Sequence, residues 1–509
     1  MGPAQPEGTG RSRLAALVDY ARRRPENVLI GLLTLHFLVW TALPLIVCPN
    51  LQLDLAEDLA LGREWQLGYW KHPPLPWWIA DAVYRLTGTI HSVYLLGPLA
   101  AVLCFYGVWL LARDTVGGFR GLIAVAALEG LHFYNLSVPK FAHDQLQLPF
   151  WAFTAWFFHR ALTRHRSADW MLAGACLAGA FWSKYAVFAL AIPLGLFLLL
   201  DPAARRAWRT PGPYLMALAF AVVVAPNVWW LIANDFLPLR YVDVRARLAA
   251  HWWDYPVFPL RWTVSQLFFL LPVIGLIALL YGRRNAPAAP ADDRAAFDRR
   301  YVAMLALGPF LVVTLVFGAL GRLPIAMWGY PLWSFAPLAV LMWWPPADET
   351  RRLCRFAAGA VAVSVAFPLI YAAIEIGEPF LRDRPKATEF PGRTVAASIT
   401  RAWRERYGTP LSYVGGSEFA TNNVAVYSPD RPRVIVHGDL KLSPWIDQAE
   451  LRRHGGVLVW EGDEDSPQVA RWLASYGALS FAQPLIVPRR TLAKVKPVWV
   501  NYAFIPPRP

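Results

Sequence analysis

Charge is scarce in this chain, and cysteine scarcer. Only 17% of its 509 residues are Asp, Glu, Lys or Arg, against 56% hydrophobic and 14% aromatic. A water-soluble chain of this size would interrupt its apolar runs far more often, so the pattern is that of a polytopic membrane protein. The four cysteines, Cys48, Cys104, Cys176 and Cys354, lie in or beside apolar runs without CxxC spacing and read as small buried hydrophobes. No long internal repeat is visible, and the only biased linker is the Ala/Pro-rich stretch 286–292. A net charge of +14 could point to nucleic acid, but no RNA- or DNA-reading module is present. Nucleic acid is therefore not an expected partner.

The basic residues fall between apolar runs, which is the positive-inside pattern. Runs of spanning length lie at 28–47, 92–112, 120–138, 145–163, 169–183, 185–200, 212–234, 260–281, 302–320, 325–344 and 354–374. The fifth and sixth are short. If the runs alternate, the clusters at the N-terminal tail, 113–120, 164–166, 205–209, 283–300 and 351–355 all fall on one side, the cytoplasm. Residues 1–27 are then a cytoplasmic basic tail carrying Arg22, Arg23 and Arg24. The run after it is too long for a signal h-region and is expected to remain as the first span. An odd number of spans, about eleven, puts the C-terminal region outside. The 25 tryptophans suit the headgroup level of a membrane.

The outward pieces are residues 48–91, 139–144, the Ser183–Lys184 junction, 235–259, 320–324 and the C-terminal region. In the first, 55–67 and 75–87 carry helix-like alternation and read as amphipathic helices in the membrane interface, the second starting after Pro73-Pro74. Residues 380–509 change character. Strand-like runs at Leu411–Val414, Arg433–Val436, Gly456–Trp460 and Val498–Phe504 alternate with helical pieces at 391–406 and 466–476. About 130 residues suffice for one small α/β domain. The expected organisation is a tail (1–27), a transmembrane domain (28–379) with the outward loop 48–91, and an outward α/β domain (380–509).

Carboxylates beside lipid are costly unless they are used. Asp54 follows the first span closely, and Glu57 and Asp58 come one helical turn later. Lys71-His72 adds positive charge in the same loop, and His143-Asp144 opens the fourth span on the same side. Two outward carboxylates with nearby cations suit a phosphorylated lipid head and a hydroxyl to be deprotonated. The plain alternatives are a helix cap for each Asp and snorkelling for Lys71-His72. Lys184, at membrane depth, requires an anion, either a lipid phosphate or a neighbouring Asp. Arg240 and Arg245, near Tyr241, and Arg322, near Trp328 and Tyr330, are further outward cations.

The spacing Asp54-x-Ala56, Leu67-Gly-Tyr69 and His72-Pro-Pro-Leu75 resembles the Asp-Glu-Ala … Leu-Gly-Tyr … His-Pro-Pro-Leu signature of bacterial GT-C integral-membrane glycosyltransferases, relatives of the protein O-mannosyltransferases and of the lipid A aminoarabinose transferase. Asp144-x-Leu-x-Leu-Pro-Phe-Trp resembles that family's second outward Asp, and Ser183-Lys184-Tyr185 its Lys-Tyr segment. Gly321-Arg322 through Tyr330-Pro331 resembles its late aromatic-Pro stretch more loosely. The resemblance covers about residues 28–345.

It implies a GT-C fold and transfer of a monosaccharide from a polyprenyl-phosphate donor to a hydroxyl of a lipid, glycan or protein, at the periplasmic face of the bacterial inner membrane. It implies Asp54 as catalytic base with Asp144 in support. His72, Lys184 and an outward arginine would hold the donor phosphate, while Glu57, Asp58, Tyr69, Lys71 and His143 would complete the substrate site. Leu55 stands where the family has Glu, and Lys71 where an acidic residue is common. The second change removes a metal ligand, so no cofactor and no divalent ion are expected. A sugar-lipid flippase would place charges near mid-bilayer and show paired broken helices; a non-catalytic accessory protein of the same fold is the third reading.

Overall fold

The computed structural model describes residues 9–239, 241, 245–282, 287–382, 385–462 and 467–508. Helices α1 (Thr9–Arg23) and α2 (Pro25–Val47) meet at Arg24, with Pro25 at the first helical position, where no amide proton is needed. The loop after the first span carries α3 (Leu53–Gly62) and α4 (Leu75–Thr87). The bundle continues through α5 (Leu96–Val116), α6 (Gly118–Leu128), α7 (His143–Arg164), α8 (Ser167–Ser183), α9 (Phe188–Leu200), α10 (Gly212–Ala233), α11 (Asp254–Ala278), α12 (Asp293–Ala319), α13 (Ala336–Trp343) and α14 (Thr350–Leu381). Among the described residues six stretches are long and apolar enough to cross a membrane: Pro25–Val47, Ile90–Val116, Gly212–Ala233, Asp254–Ala278, Asp293–Ala319 and Thr350–Leu381. Helices α2 and α14 run side by side in one direction. Arg22 binds Asp348 at 2.6 Å at their start, and Gln52 donates to the Tyr371 hydroxyl at 2.7 Å near their far end. The basic tail and the chain after α14 therefore lie at opposite ends of the bundle.

Two expected spans are not continuous helices. In the run 120–138, α6 stops at Leu128 and the chain turns through irregular backbone to α7. The fully buried Asn135 donates to the carbonyls of Glu129 (2.7 Å) and Leu131 (3.1 Å), replacing helical bonds lost at the break. In the run 325–344 only α13 is α-helical; ahead of it Gln266 donates to the Ala326 carbonyl (2.9 Å) and accepts from the Trp333 indole (3.1 Å). At about 1.5 Å per residue these helices cover roughly 17 and 12 Å, short of a hydrocarbon thickness of about 30 Å.

Beyond the bundle a two-stranded ribbon pairs β1 (Arg247–Leu248) with β2 (Arg322–Leu323), tying two interhelical loops together. The C-terminal part comprises α15 (Gly392–Tyr407), β3 (Tyr413–Gly416), α16 (Glu418–Tyr427), β4 (Arg433–Ile435), α17 (Gln448–His454), β5 (Gly456–Glu461), α18 (Pro467–Tyr476), β6 (Ser480–Phe481), β7 (Leu485–Val487) and β8 (Val498–Ile505). The sheet order is β4-β3-β5-β8-β6, with β7 also on β8; β3 is parallel to both its neighbours and β8 is antiparallel. This is the expected α/β pattern, with α16, α17, β6 and β7 added.

The expectation for α3 needs correcting. Instead of lying in the membrane interface, it is buried from Leu55 to Gly62. Leu55, Leu59 and Trp77 share one core with Ile399, Trp403, Val424 and Val457 of the C-terminal part. Each such side chain stabilises the contact by about 2 kcal/mol, and polar clamps add orientation. Arg433 donates to Glu64 at 2.6 and 3.0 Å, the Arg431 guanidinium lies 4.1 Å over Tyr84, and Asn50 donates to Asn423 at 3.0 Å. Helix α4 spans the expected residues and ends at Gly88, whose φ of +70° is the left-handed conformation that glycine adopts without steric cost.

Candidate active site

Five of the pieces expected to face outward meet at one place. Asp54 is the second residue of α3, half-buried, and among the described residues no side chain hydrogen-bonds its carboxylate. Burial pushes its pKa up; Lys71 and Lys140 oppose the rise, while Glu418 and Asp144 add to it. These neighbours come from the first loop, the 139–144 turn, α16 and α7. Asp54 is thus an open carboxylate with proton affinity above the ordinary range, at the first turn of a helix and among cations.

Lys71 lies between two carboxylates, donating to Glu57 at 2.6 Å and to Glu418 at 2.8 Å. Burial disfavours its charge, but the two acids outweigh that and hold it protonated. The acids divide. Burial raises the deeply placed Glu57, whereas at the more open Glu418 burial is outweighed by Lys71 and the carboxyl lies below its usual range. Lys71 is therefore a bridge between the first loop and the C-terminal part. Asp58, 1% exposed, has one oxygen without a partner, and burial followed by its acidic neighbours Asp54 and Glu57 drives its pKa well up. Both effects favour its protonated form.

His72 packs against His143 with ring centroids 4.1 Å apart and the rings tilted by 38°, and Trp77 meets His143 edge-on at 5.0 Å. Burial, then the charges of His143, Lys71, Lys184 and Arg245, press the His72 pKa well down. It is a neutral N–H donor, not the cation expected from its position beside Lys71. For Lys184 the structure chooses the Asp: its ammonium lies 2.5 Å from Asp144 and 5.7 Å over Trp328, and Gln147 donates to the same carboxylate at 3.2 Å.

Tyr69 is a correction. It is fully buried, donates its hydroxyl to the Leu61 carbonyl at 2.9 Å and packs on Trp77 and Trp445, so it shapes the loop without facing a ligand. Arg245 is exposed with its guanidinium 5.7 Å from the Tyr241 ring, close enough for its charge to act on His72 and Glu418. Arg322 donates to the Ala246 carbonyl at 3.3 Å and supports the β1–β2 ribbon. Arg240 lies outside the described residues.

Sequence reasoning missed Lys140 and Glu418. Lys140 had a signal, since it sits in the same turn as His143 and Asp144. Glu418 had none, because its contact crosses 347 residues of chain. Among the described residues no three His, Cys, Asp or Glu side chains converge as metal ligands would. Two apolar grooves, of 510 and 460 Å³, run along the membrane helices and are lined by none of the residues above.

Residues 71–230 match the family described as dolichyl-phosphate-mannose-protein mannosyltransferase. Lipid A galacturonosyltransferase RgtD of Rhizobium johnstonii (strain DSM 114642 / LMG 32736 / 3841) is 29% identical over 297 residues, 56% of this chain and 59% of that protein. Lipopolysaccharide core galacturonosyltransferase RgtA of the same strain is 28% identical over 258 residues, 49% of this chain and 50% of that protein. The chain thus matches between half and three-fifths of the length of these curated relatives. Among solved structures, ArnT from Cupriavidus metallidurans superposes in its apo state with TM-score 0.61 at 12% identity, over 96% of this chain and all of that one. The same enzyme bound to undecaprenyl phosphate gives TM-score 0.60 at 13% identity, over 93% and 97%. At such identity the likeness is one of fold. Together these matches bear out the resemblance read from the first loop: the chain is a relative of the bacterial GT-C membrane glycosyltransferases.

Proposed function

We propose that this GT-C relative transfers a monosaccharide from a polyprenyl-phosphate donor to a lipid hydroxyl at the periplasmic face of the inner membrane. The names of the curated relatives favour a uronic acid as the sugar and lipid A or a lipopolysaccharide core as the acceptor. The observation that carries the reading is Asp54: an open carboxylate of raised proton affinity among the cations Lys71, Lys140 and, through Asp144, Lys184.

In this reading the acceptor oxygen attacks the anomeric carbon, the bond from that carbon to the phosphate oxygen breaks, and the lipid phosphate leaves with the electron pair. Asp54 takes the acceptor proton. One base opposite the leaving group gives inversion without a covalent intermediate. His72 would donate an N–H to the phosphate, and Lys140 and Arg245 would screen its charge. Asp144, neutralised by Lys184, would orient the acceptor. Glu57, Asp58 and Lys71 would hold the first loop against the C-terminal part. The chain would cross the membrane about eleven times, two of the crossings being broken helices, with residues 1–27 inside and 380–509 outside.

The test is transfer by the purified protein from a labelled polyprenyl-phosphate sugar to a lipid acceptor. Labelled lipid product supports the enzyme; donor translocation without product supports a flippase, and neither activity supports an accessory protein.

A further inference from the structure

The outer edge of the C-terminal sheet carries a surface that the transfer site does not use. Strands β7 and β8 form a hairpin whose connection, residues 488–497, reads Pro-Arg-Arg-Thr-Leu-Ala-Lys-Val-Lys-Pro, with four cations and no acid. Leu492 in that connection is 89% exposed. Ile486 and Trp499 are directly paired across the hairpin and are themselves 56% and 55% exposed. Paired apolar side chains facing water are unusual in a sheet that has a core available to it. Lys494 and Lys496 are exposed and form no ion pair among the described residues.

The position of the hairpin gives this surface a partner. Arg490 donates its guanidinium to the Pro49 carbonyl at 3.1 Å and its amide to the Glu389 carbonyl at 2.8 Å. Pro49 lies two residues past the end of α2, and Glu389 follows α14. The hairpin is thus anchored at the level where two membrane-length helices emerge. At that level Ile46, on α2, is 80% exposed and Leu381, on α14, is 86% exposed, as lipid-facing residues are. Beside the end of α2, then, the hairpin adds exposed apolar side chains of its own.

We propose that the β7–β8 hairpin is a membrane-docking site for anionic lipid. Leu492, Ile486 and Trp499 enter the headgroup–acyl boundary, and Lys494 and Lys496 bind lipid phosphates beside them. An apolar anchor with flanking lysines is the arrangement that anionic bilayer surfaces retain. Docking of this kind holds the C-terminal part, and Glu418 with it, at a fixed height over the site.

The full chain is reconstituted in nanodiscs of equal phosphatidylglycerol and phosphatidylcholine, with photoreactive benzoylphenylalanine in place of Leu492. A control carries it in place of Glu405, which is exposed on α15. The expected result is lipid adducts at 492 and not at 405, with phosphatidylglycerol preferred about twenty-fivefold; Lys494→Gln/Lys496→Gln then removes most of that preference, since each surface lysine contributes about fivefold. No adduct at 492 above the control overturns the proposal. So do equal yields from the two lipids, and so does a protein adduct in place of a lipid one.

Discussion

The Lys184 ammonium lies 2.5 Å from the Asp144 carboxylate, whereas Asp54 has no such partner among the described residues. The two carboxylates are therefore not equivalent. One is neutralised by a fixed cation; the other is open and of raised proton affinity. The first is suited to hold a hydroxyl and the second to take its proton.

Lys184→Ala takes from Asp144 its only cation among the described residues and leaves Gln147 as its remaining donor. Transfer is expected to fall, with Asp144→Asn restoring part of the loss in the double variant. A coupling of about 1–3 kcal/mol from single-turnover rates of both single variants and the double is the expected size. Additive effects would mean that the pair does not act as a unit.

His72 is neutral, so it contributes hydrogen bonding rather than charge. Donor affinity is expected to fall about tenfold or more in His72→Ala, the scale of a hydrogen bond to an anion. Glutamine, which keeps an N–H, should retain part of it. Burial presses this pKa down, so His72→Gln should leave the pH dependence of donor affinity between about pH 8 and pH 6 unchanged in shape. An affinity that climbs as pH falls through that window in the wild type but not in His72→Gln would show a charged His72 instead.

The clamp between Arg433 and Glu64 joins the C-terminal part to the first loop. The Glu64 side chain is only 3% exposed and Arg433 is partly open, so Arg433→Ala strands a buried carboxylate. A loss of about 2–4 kcal/mol is expected, seen as faster hydrogen exchange across α16 and β3. Unchanged exchange there would mean that the shared apolar core alone holds the two parts together.

Asp58 provides a stability test against pH. Its folded pKa lies well above the unfolded value, so its contribution is fully present below the unfolded pKa and is lost as pH rises through the folded one. Asp58→Asn removes that titration. Thermal unfolding should match the wild type to within about 1 kcal/mol at acidic pH, with the variant the more stable at alkaline pH. A variant less stable at every pH would show that Asp58 is ionised and paired.

Most residues that meet at the site could be read from the chain because each interrupts or ends an apolar run: Asp54, Lys71, His72, His143, Asp144 and Lys184. Their pairing could not. Lys184 faced either a phosphate or an Asp, and only the approach of α7 to the end of α8 decides it. The broken helices were hidden because an apolar run of spanning length looks the same whether its backbone is helical or is irregular and capped by Asn135 or Gln266. The burial of α3 was hidden for another reason: its half-polar pattern fits a membrane surface, but what covers it is a domain more than 300 residues further along.

The central claim rests on Asp54, and single-turnover transfer by purified Asp54→Asn, measured beside its donor affinity, tests it most directly. Asparagine keeps the shape and suits a helix terminus, so folding and donor affinity should hold. The amide cannot take the hydroxyl proton, and turnover should fall by about 10²–10⁴. Turnover near that of the wild type would contradict the account, and a dead Asp144→Asn beside a working Asp54→Asn would exchange the two roles.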